Sequence, residues 1–245
     1  MLHKRLVAGL YALIKLFSNL VACPLNFYAT INYGIRMAKD INPARNNLDH
    51  DIEQAVAIIA QGGIVAFPTE TYYGLAVNPF NHHALERLFS IKQRPISKPI
   101  LTLVSNLEQL TDLTDYIPDL FKSLMDKFWP GPLTLVFGAK PTLPDLLTAN
   151  TGTVGSRISS HPVAQEFVKS AGMAVTATSA NISGKLPAVS ADEVMDMFGP
   201  RLDWLIDGGV TPGGAGSTIV GHDQDGLKLI REGVFAFAKI RKMGL

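Results

Sequence analysis

Lys92, Arg94 and Lys98 place three cations within seven residues, on a segment stiffened by Pro95 and Pro99. Such a set suits a polyphosphate, because an arginine fork grips two phosphate oxygens at once and lysines add compact point charges. A solvated basic edge is the competing reading. The position of the cluster, after an amphipathic run from His83 to Lys92 and before the apolar run Ile100 to Val104, favours binding. Two polar triplets stand at similar junctions: Thr69-Glu70-Thr71 follows Ile64-Val65-Ala66-Phe67, and Ser179, Asn181 and Ser183 follow Met173 to Thr178. Ligands of α/β proteins collect at the carboxyl ends of strands, although turns and helix caps use the same residue types. Arg157 lies in an apolar stretch between Val154 and Ile158 and needs an anion, either an acidic side chain of this chain or a substrate carboxylate.

Other patterns exclude chemistry. The segment from Gly208 to Thr218 is rich in glycine and can wrap an anion with backbone N–H groups. It lacks the P-loop lysine and no helical pattern follows it, so it is not a Walker motif, and a flexible turn is an equal reading. His82 and His83 are adjacent, His161 and His222 stand apart, and Cys23 is the only cysteine, so no metal-ligand spacing arises. No serine or cysteine triad motif is evident either.

The elements that must position these residues alternate in type. Apolar positions Ile52, Ala55, Val56, Ile58 and Ile59 recur at helical spacing until Gly62-Gly63 stop them. The same reasoning predicts helices over 83–92, 117–128, 162–171 and 189–198, and strands over 64–67, 100–104, 133–137, 154–158, 173–178, 204–207, 217–220 and 227–231. Pro68 to Gly74, Trp129-Pro130-Gly131-Pro132 and Ser179 to Gly184 read as loops. Alternation of this kind predicts one α/β domain over about residues 45–240, with no internal repeat. Lys and Arg total 22 against 21 acidic residues, a net charge of +1 that gives no reason to expect tight binding to bulk nucleic acid.

Residues 1–36 differ from the rest: they contain no acidic residue and carry an apolar run from Leu6 to Cys23 behind Lys4 and Arg5. Lys15 and Asn19 interrupt that run, which argues against a secretory signal, and it barely approaches the length of a membrane span. The favoured expectation is that Met37 opens the domain proper, with residues 1–36 outside it, in a cytoplasmic protein without stable membrane association.

Taken together, Lys92-x-Arg94, Pro68-Thr69-Glu70-Thr71-x-Tyr73-Gly74-Leu75 and Ser179-Ala180-Asn181-x-Ser183-Gly184 resemble the YrdC/TsaC family of threonylcarbamoyl-AMP synthases. Trp129-Pro130-Gly131-Pro132-x-Thr134, Arg157 with His161-Pro162, Asp207-Gly208-Gly209, Ser217-Thr218 and Arg231-x-Gly233 follow in the family's order, so the resemblance spans about Ile52 to Gly233. It implies a twisted mixed β-sheet with flanking helices around a concave, positively charged cavity. The implied reaction carboxylates L-threonine with bicarbonate and adenylates the carbamate with ATP, releasing pyrophosphate, for threonylcarbamoyladenosine modification of tRNA.

Carried over by position, Lys92 and Arg94 resemble the catalytic pair. Lys92, Arg94, Lys98, Thr153, Ser179, Asn181, Pro187 and Arg231 resemble the ATP-binding set, while Thr71, Arg157, Ala177 and Ser217 resemble the threonine pocket. ATP is expected as a substrate with Mg²⁺, with no protein-ligated metal, and the product is expected to pass to a tRNA-transferring complex, direct tRNA contact being weak. No general base for the threonine amine is apparent. Leu103 stands where many members carry a histidine, which puts one threonine contact in doubt, and the chain resembles the short, single-domain form. The alternative reading is a non-catalytic tRNA- or rRNA-binding module.

Overall fold

The computed structural model describes residues 48–244. The expectations for residues 1–36 and for a start at Met37 lie outside these residues.

Helix α1 (Leu48–Ala60) buries Ile52, Ala55 and Ile59, three- and four-residue spacings that make one apolar stripe. Gly62, at φ 81°, ends it: the left-handed turn lets the Gly62 N–H reach the Ile59 carbonyl at 3.0 Å. Strand β1 (Val65–Pro68) follows, buried throughout. After the turn 69–72 the chain returns as β2 (Tyr73–Ala76), antiparallel to β1 with Pro68 opposite Tyr73. The turn between them holds Thr69, Glu70 and Thr71 at a strand end. Helix α2 (His82–Lys92) starts on Asn81, whose side chain accepts the Ala84 N–H, and stops at Gln93 in the left-handed region (φ 51°).

Among the described residues ten strands form two mixed sheets, where the family resemblance implied one. The larger has the order β10-β9-β4-β5-β3-β6, with β3 (Thr102–Leu103), β4 (Leu133–Gly138), β5 (Thr153–Arg157), β6 (Val175–Thr176), β9 (Thr218–Asp223) and β10 (Gly226–Arg231). The smaller has the order β7-β2-β1-β8, with β7 (Thr178–Ser179) and β8 (Trp204–Leu205). The expected strand 173–178 is therefore broken at Ala177. Val175-Thr176 pairs with β3, Thr178-Ser179 pairs with β2, and the Ala177 N–H donates to the Leu101 carbonyl at 2.8 Å between them. Crossing there carries Ser179 from one sheet to the other.

Helices α3 (Leu107–Thr111), α4 (Asp119–Phe128), α5 (Asp145–Thr148), α6 (Pro162–Ala171), α7 (Ala191–Phe198) and α8 (Phe237–Gly244) complete the described chain. Two apolar clusters hold it together. One joins Tyr73, Leu75, Leu88, Phe121, Leu135 and Phe137, with the Phe121 and Phe137 rings edge to face at 5.2 Å. The other seats α1 and α6 on β1 and β3 through Ile52, Ile59, Phe67, Leu103, Phe167 and Ile206. Leu103 is wholly buried in this second cluster, so the leucine at this position is packing material.

Candidate active site

Lys92, the last residue of α2, points into the protein and is 1% exposed. Its Nζ donates to the Ser179 carbonyl at 2.5 Å, the Asn181 carbonyl at 2.8 Å and Asn181 Oδ1 at 3.3 Å. An ammonium has three N–H donors, and these three neutral acceptors use them all. Ser179 Oγ also donates to Asn181 Oδ1 at 2.7 Å, and the Asn181 amide donates to the Lys185 carbonyl at 2.8 Å. The lysine is thus a strut that pins the loop after β7. Burial, followed by the charge of Arg94, lowers its pKa to about 7.

Arg94 and Lys98 belong to the turn after α2. Arg94 donates from Nε to the Lys98 carbonyl at 3.2 Å and from a terminal nitrogen to the Pro99 carbonyl at 2.7 Å, which aligns its guanidinium on its own loop. Lys98 itself is exposed. From the far side comes Arg231, at the end of β10, whose terminal nitrogen donates to the Ser217 carbonyl at 2.8 Å. Ser217 Oγ in turn lies 2.8 Å from the Thr134 hydroxyl, both side chains buried.

Gly233 makes this approach possible. A Cβ there would sit 2.1 Å from the Gly216 oxygen and 2.5 Å from the Ser217 carbonyl carbon. Only glycine lets the chain leaving β10 lie directly on the backbone of Gly216 to Thr218, at the start of β9. Arg94 is lowered in pKa by burial and by Arg231, and Arg231 by burial and by Arg157. A guanidinium stays charged in proteins, so this mutual repulsion is relieved by an anion and not by proton loss.

Arg157 closes β5 and is 4% exposed. Its Nε donates to Glu70 Oε1 at 2.9 Å, so the internal acidic partner that the sequence left open is Glu70. Glu70 Oε2 accepts the Ser159 hydroxyl, and Ser159 Oγ accepts the His161 N–H at 3.2 Å. Burial raises the Glu70 pKa, but the Arg157 charge and the Ser159 and Arg157 bonds outweigh it and leave the carboxyl below its ordinary range. Thr71 lies in the same turn, its hydroxyl 3.1 Å from that of Thr69, and its carbonyl accepts the Gly213 N–H at 2.7 Å. The glycine-rich loop is thereby tied to the turn after β1.

Four basic side chains from three chain segments, Lys92 with Arg94, Arg231 and Arg157, thus stand in succession, each acting electrostatically on the next. Ser179, Asn181, Ser217 and Thr71 are hydrogen-bonded into or beside this set. Other expected residues are less closely joined. Thr153 opens β5, about 13 Å from Arg157 at roughly 3.3 Å per residue, and its hydroxyl pairs with Thr151 at 2.8 Å. Ala177 enters through the sheet crossing described above. Pro187 is half-buried, next to Ala188, whose N–H donates to the Ala180 carbonyl at 2.9 Å.

Sequence reasoning missed Ser159, which shares the parity of Arg157 two residues on, and Thr134 as the partner of Ser217. Among the described residues no group of three or more His, Cys, Asp or Glu side chains is placed to hold a metal, and no helix is long and apolar enough to cross a membrane. A depression of about 360 Å³ lined by Tyr116, Phe137, Gly138 and His222 lies at the opposite end of β4 from Thr134 and contains none of these site residues.

The site of this α/β protein thus gathers basic side chains at strand and helix ends. Residues 57–233 match the family model Sua5/YciO/YrdC, described as telomere recombination, and the chain belongs to this family. It is 37% identical over 195 residues to the threonylcarbamoyl-AMP synthase of Bacillus subtilis, covering 79% of this chain and 56% of that protein. It is 35% identical over 162 residues to the threonylcarbamoyl-AMP synthase of Cellvibrio japonicus, covering 66% of this chain and 86% of that one. Among solved structures it resembles Pyrococcus abyssi Sua5 complexed with L-threonine, with a TM-score of 0.76, 36% identity, and coverage of 78% of this chain and 56% of that one. The chain therefore spans little more than half the length of the Bacillus and Pyrococcus proteins.

Proposed function

We propose that this chain is an L-threonylcarbamoyladenylate synthase, using L-threonine, bicarbonate and MgATP and releasing pyrophosphate. The observation that carries the reading is the row of cations with two distinct ends. Arg94 and Arg231, with Lys98 in the adjoining turn, offer guanidinium and ammonium groups to a triphosphate. Arg157, held by Glu70 beside Thr71, offers a grip for an amino-acid carboxylate.

In the proposed reaction the threonine amine attacks bicarbonate, and water leaves to give the carbamate. A carbamate oxygen then attacks the α-phosphorus of ATP, the bond to the β-phosphate oxygen breaks, and pyrophosphate departs. Arginines fixed beforehand on backbone carbonyls neutralise the charge that develops on the phosphates without reorganising. Positioning of two charged substrates side by side supplies the remainder. Lys92 contributes through the Ser179–Asn181 loop that it anchors, and Thr153 and Pro187 are assigned to the nucleotide, Ala177 and Ser217 to threonine. Magnesium enters with the nucleotide as part of the substrate. The labile adenylate is then passed, in the cytoplasm, to a complex that transfers the group to tRNA.

Pyrophosphate release by the purified chain tests the reading. Release that requires ATP, L-threonine and bicarbonate together is expected. Release indifferent to threonine, or none at all, sinks the proposal in favour of a binding module without catalysis.

A further inference from the structure

Arg157 has one Nε–H and two terminal amino groups, and among the described residues the acceptor it engages is Glu70, through Nε alone. Nothing about a guanidinium fixes its orientation by itself; here two structures do. The turn carrying Glu70 is closed by the Thr69 hydroxyl, which donates to the Tyr72 carbonyl at 2.6 Å and accepts the Thr71 N–H at 3.2 Å. The second carboxylate oxygen is held by the Ser159 hydroxyl, and Ser159 is itself fixed by the His161 N–H onto its Oγ and by the Gln165 side-chain amide onto its carbonyl at 2.9 Å. The carboxylate is therefore clamped from both sides of the site before it meets the arginine.

We propose that Glu70, braced by Ser159, is a positioning residue: it takes the Nε edge of Arg157 so that the terminal nitrogens face the carboxylate of the amino-acid substrate. This rests on the proposed synthase reading, which supplies that carboxylate. Glu70 also keeps the Arg157 charge tolerable in a buried setting while the substrate is absent. Because the carboxyl sits below its ordinary range, it remains an anion at any working pH. Thr71 follows Glu70 in the same hydrogen-bonded turn, so the arginine's brace and a proposed threonine-pocket residue are held by one local structure.

The test is calorimetric binding of L-threonine and of ATP to the full chain and to Glu70→Gln, Ser159→Ala, Arg157→Lys and the Glu70→Gln/Arg157→Lys double variant. Loss of a charge-assisted brace is expected to weaken threonine binding about tenfold or more in Glu70→Gln. Ser159→Ala, which removes one of two supports and is the milder change for folding, is expected to weaken it about threefold. ATP affinity should stay within about twofold in both, and Glu70→Gln should add less than about twofold on top of Arg157→Lys, since it acts through that arginine. Unchanged or tighter threonine binding in Glu70→Gln and Ser159→Ala, or additive losses in the double variant, overturns the proposal; tighter binding would mean that Glu70 competes with substrate for Arg157. A wild-type chain that binds no threonine overturns the synthase reading instead.

Discussion

Replacing Lys92 with methionine keeps the apolar stem and removes the ammonium, and its consequence depends on pH in a calculable way. In the native protein the Lys92 pKa falls from 10.5 to about 7. Between those values the unfolded chain holds a proton that the native state has released, so the contribution of this group to stability rises with pH across that window. Below about pH 7 both states are protonated and the full penalty of burial and Arg94 repulsion stands, about 5 kcal/mol at roughly 1.4 kcal/mol per pH unit. About 2 kcal/mol of it is recovered between pH 7 and pH 9.

The thioether introduced by Lys92→Met would not titrate, and it leaves the Asn181 carbonyl without a donor, at about 1 kcal/mol, while the Ser179 carbonyl keeps the Asn181 N–H and Asn181 Oδ1 keeps the Ser179 hydroxyl. Urea unfolding of both proteins at pH 7, 8 and 9 isolates the lysine, because every other group titrates in both. The wild type should gain about 2 kcal/mol over Lys92→Met from pH 7 to 9, or about 4–8 °C in Tm for a domain of this size. Parallel stability profiles would refute the reasoning: Lys92 would then keep its charge in the folded state, compensated by the three carbonyls.

Arg94→Ala removes a guanidinium already aligned on Lys98 and Pro99, and is expected to raise the KM for ATP about tenfold or more while the Tm stays within a few degrees. Gly233→Ala forces a Cβ into the Gly216 and Ser217 backbone, which should cost about 2–3 kcal/mol in urea unfolding and, by shifting Arg231 from Ser217, also weaken ATP binding. Asp203→Ala strips the acceptor from the Ile64 N–H, bonded at 2.7 Å, and the partner from Arg87. A loss of about 1–3 kcal/mol with substrate affinities unchanged is expected from paired unfolding and binding assays.

Much of this site was legible along the chain because its residues lie at element ends that periodicity and glycine punctuation mark clearly. Helix α6 has the predicted bounds, since Pro162 suits a first helical turn and Gly172 adopts φ 65° just beyond its end. The break at Ala177 was not legible: Val175 to Ser179 contains no glycine, proline, asparagine or aspartate to mark it, and the crossing is decided by β3 and β2, each far away in sequence. Helices α3 and α5, of 5 and 4 residues, are too short to show a period. For α3 the cap was visible, as Asn106 accepts the Gln109 N–H at 2.9 Å.

The chemistry divides in the same way. Spacing identified Lys92 and Arg94 as a pair but not their different duties, because the carbonyls that surround Lys92 come from residues 87 and 89 positions later. For Arg157 the sequence posed an alternative between an internal acid and a substrate carboxylate. The Nε bond to Glu70 supplies the first, and the proposed function assigns the terminal nitrogens to the second.

The most direct measurement supplies ¹³C-bicarbonate, L-threonine and ATP to the full chain and follows the nucleotide products by mass spectrometry. A threonylcarbamoyl adenylate carrying the label, formed together with pyrophosphate and lost in Arg94→Ala, is the expected result. Pyrophosphate without a labelled adenylate, or no product in the presence of all three substrates, would contradict the account.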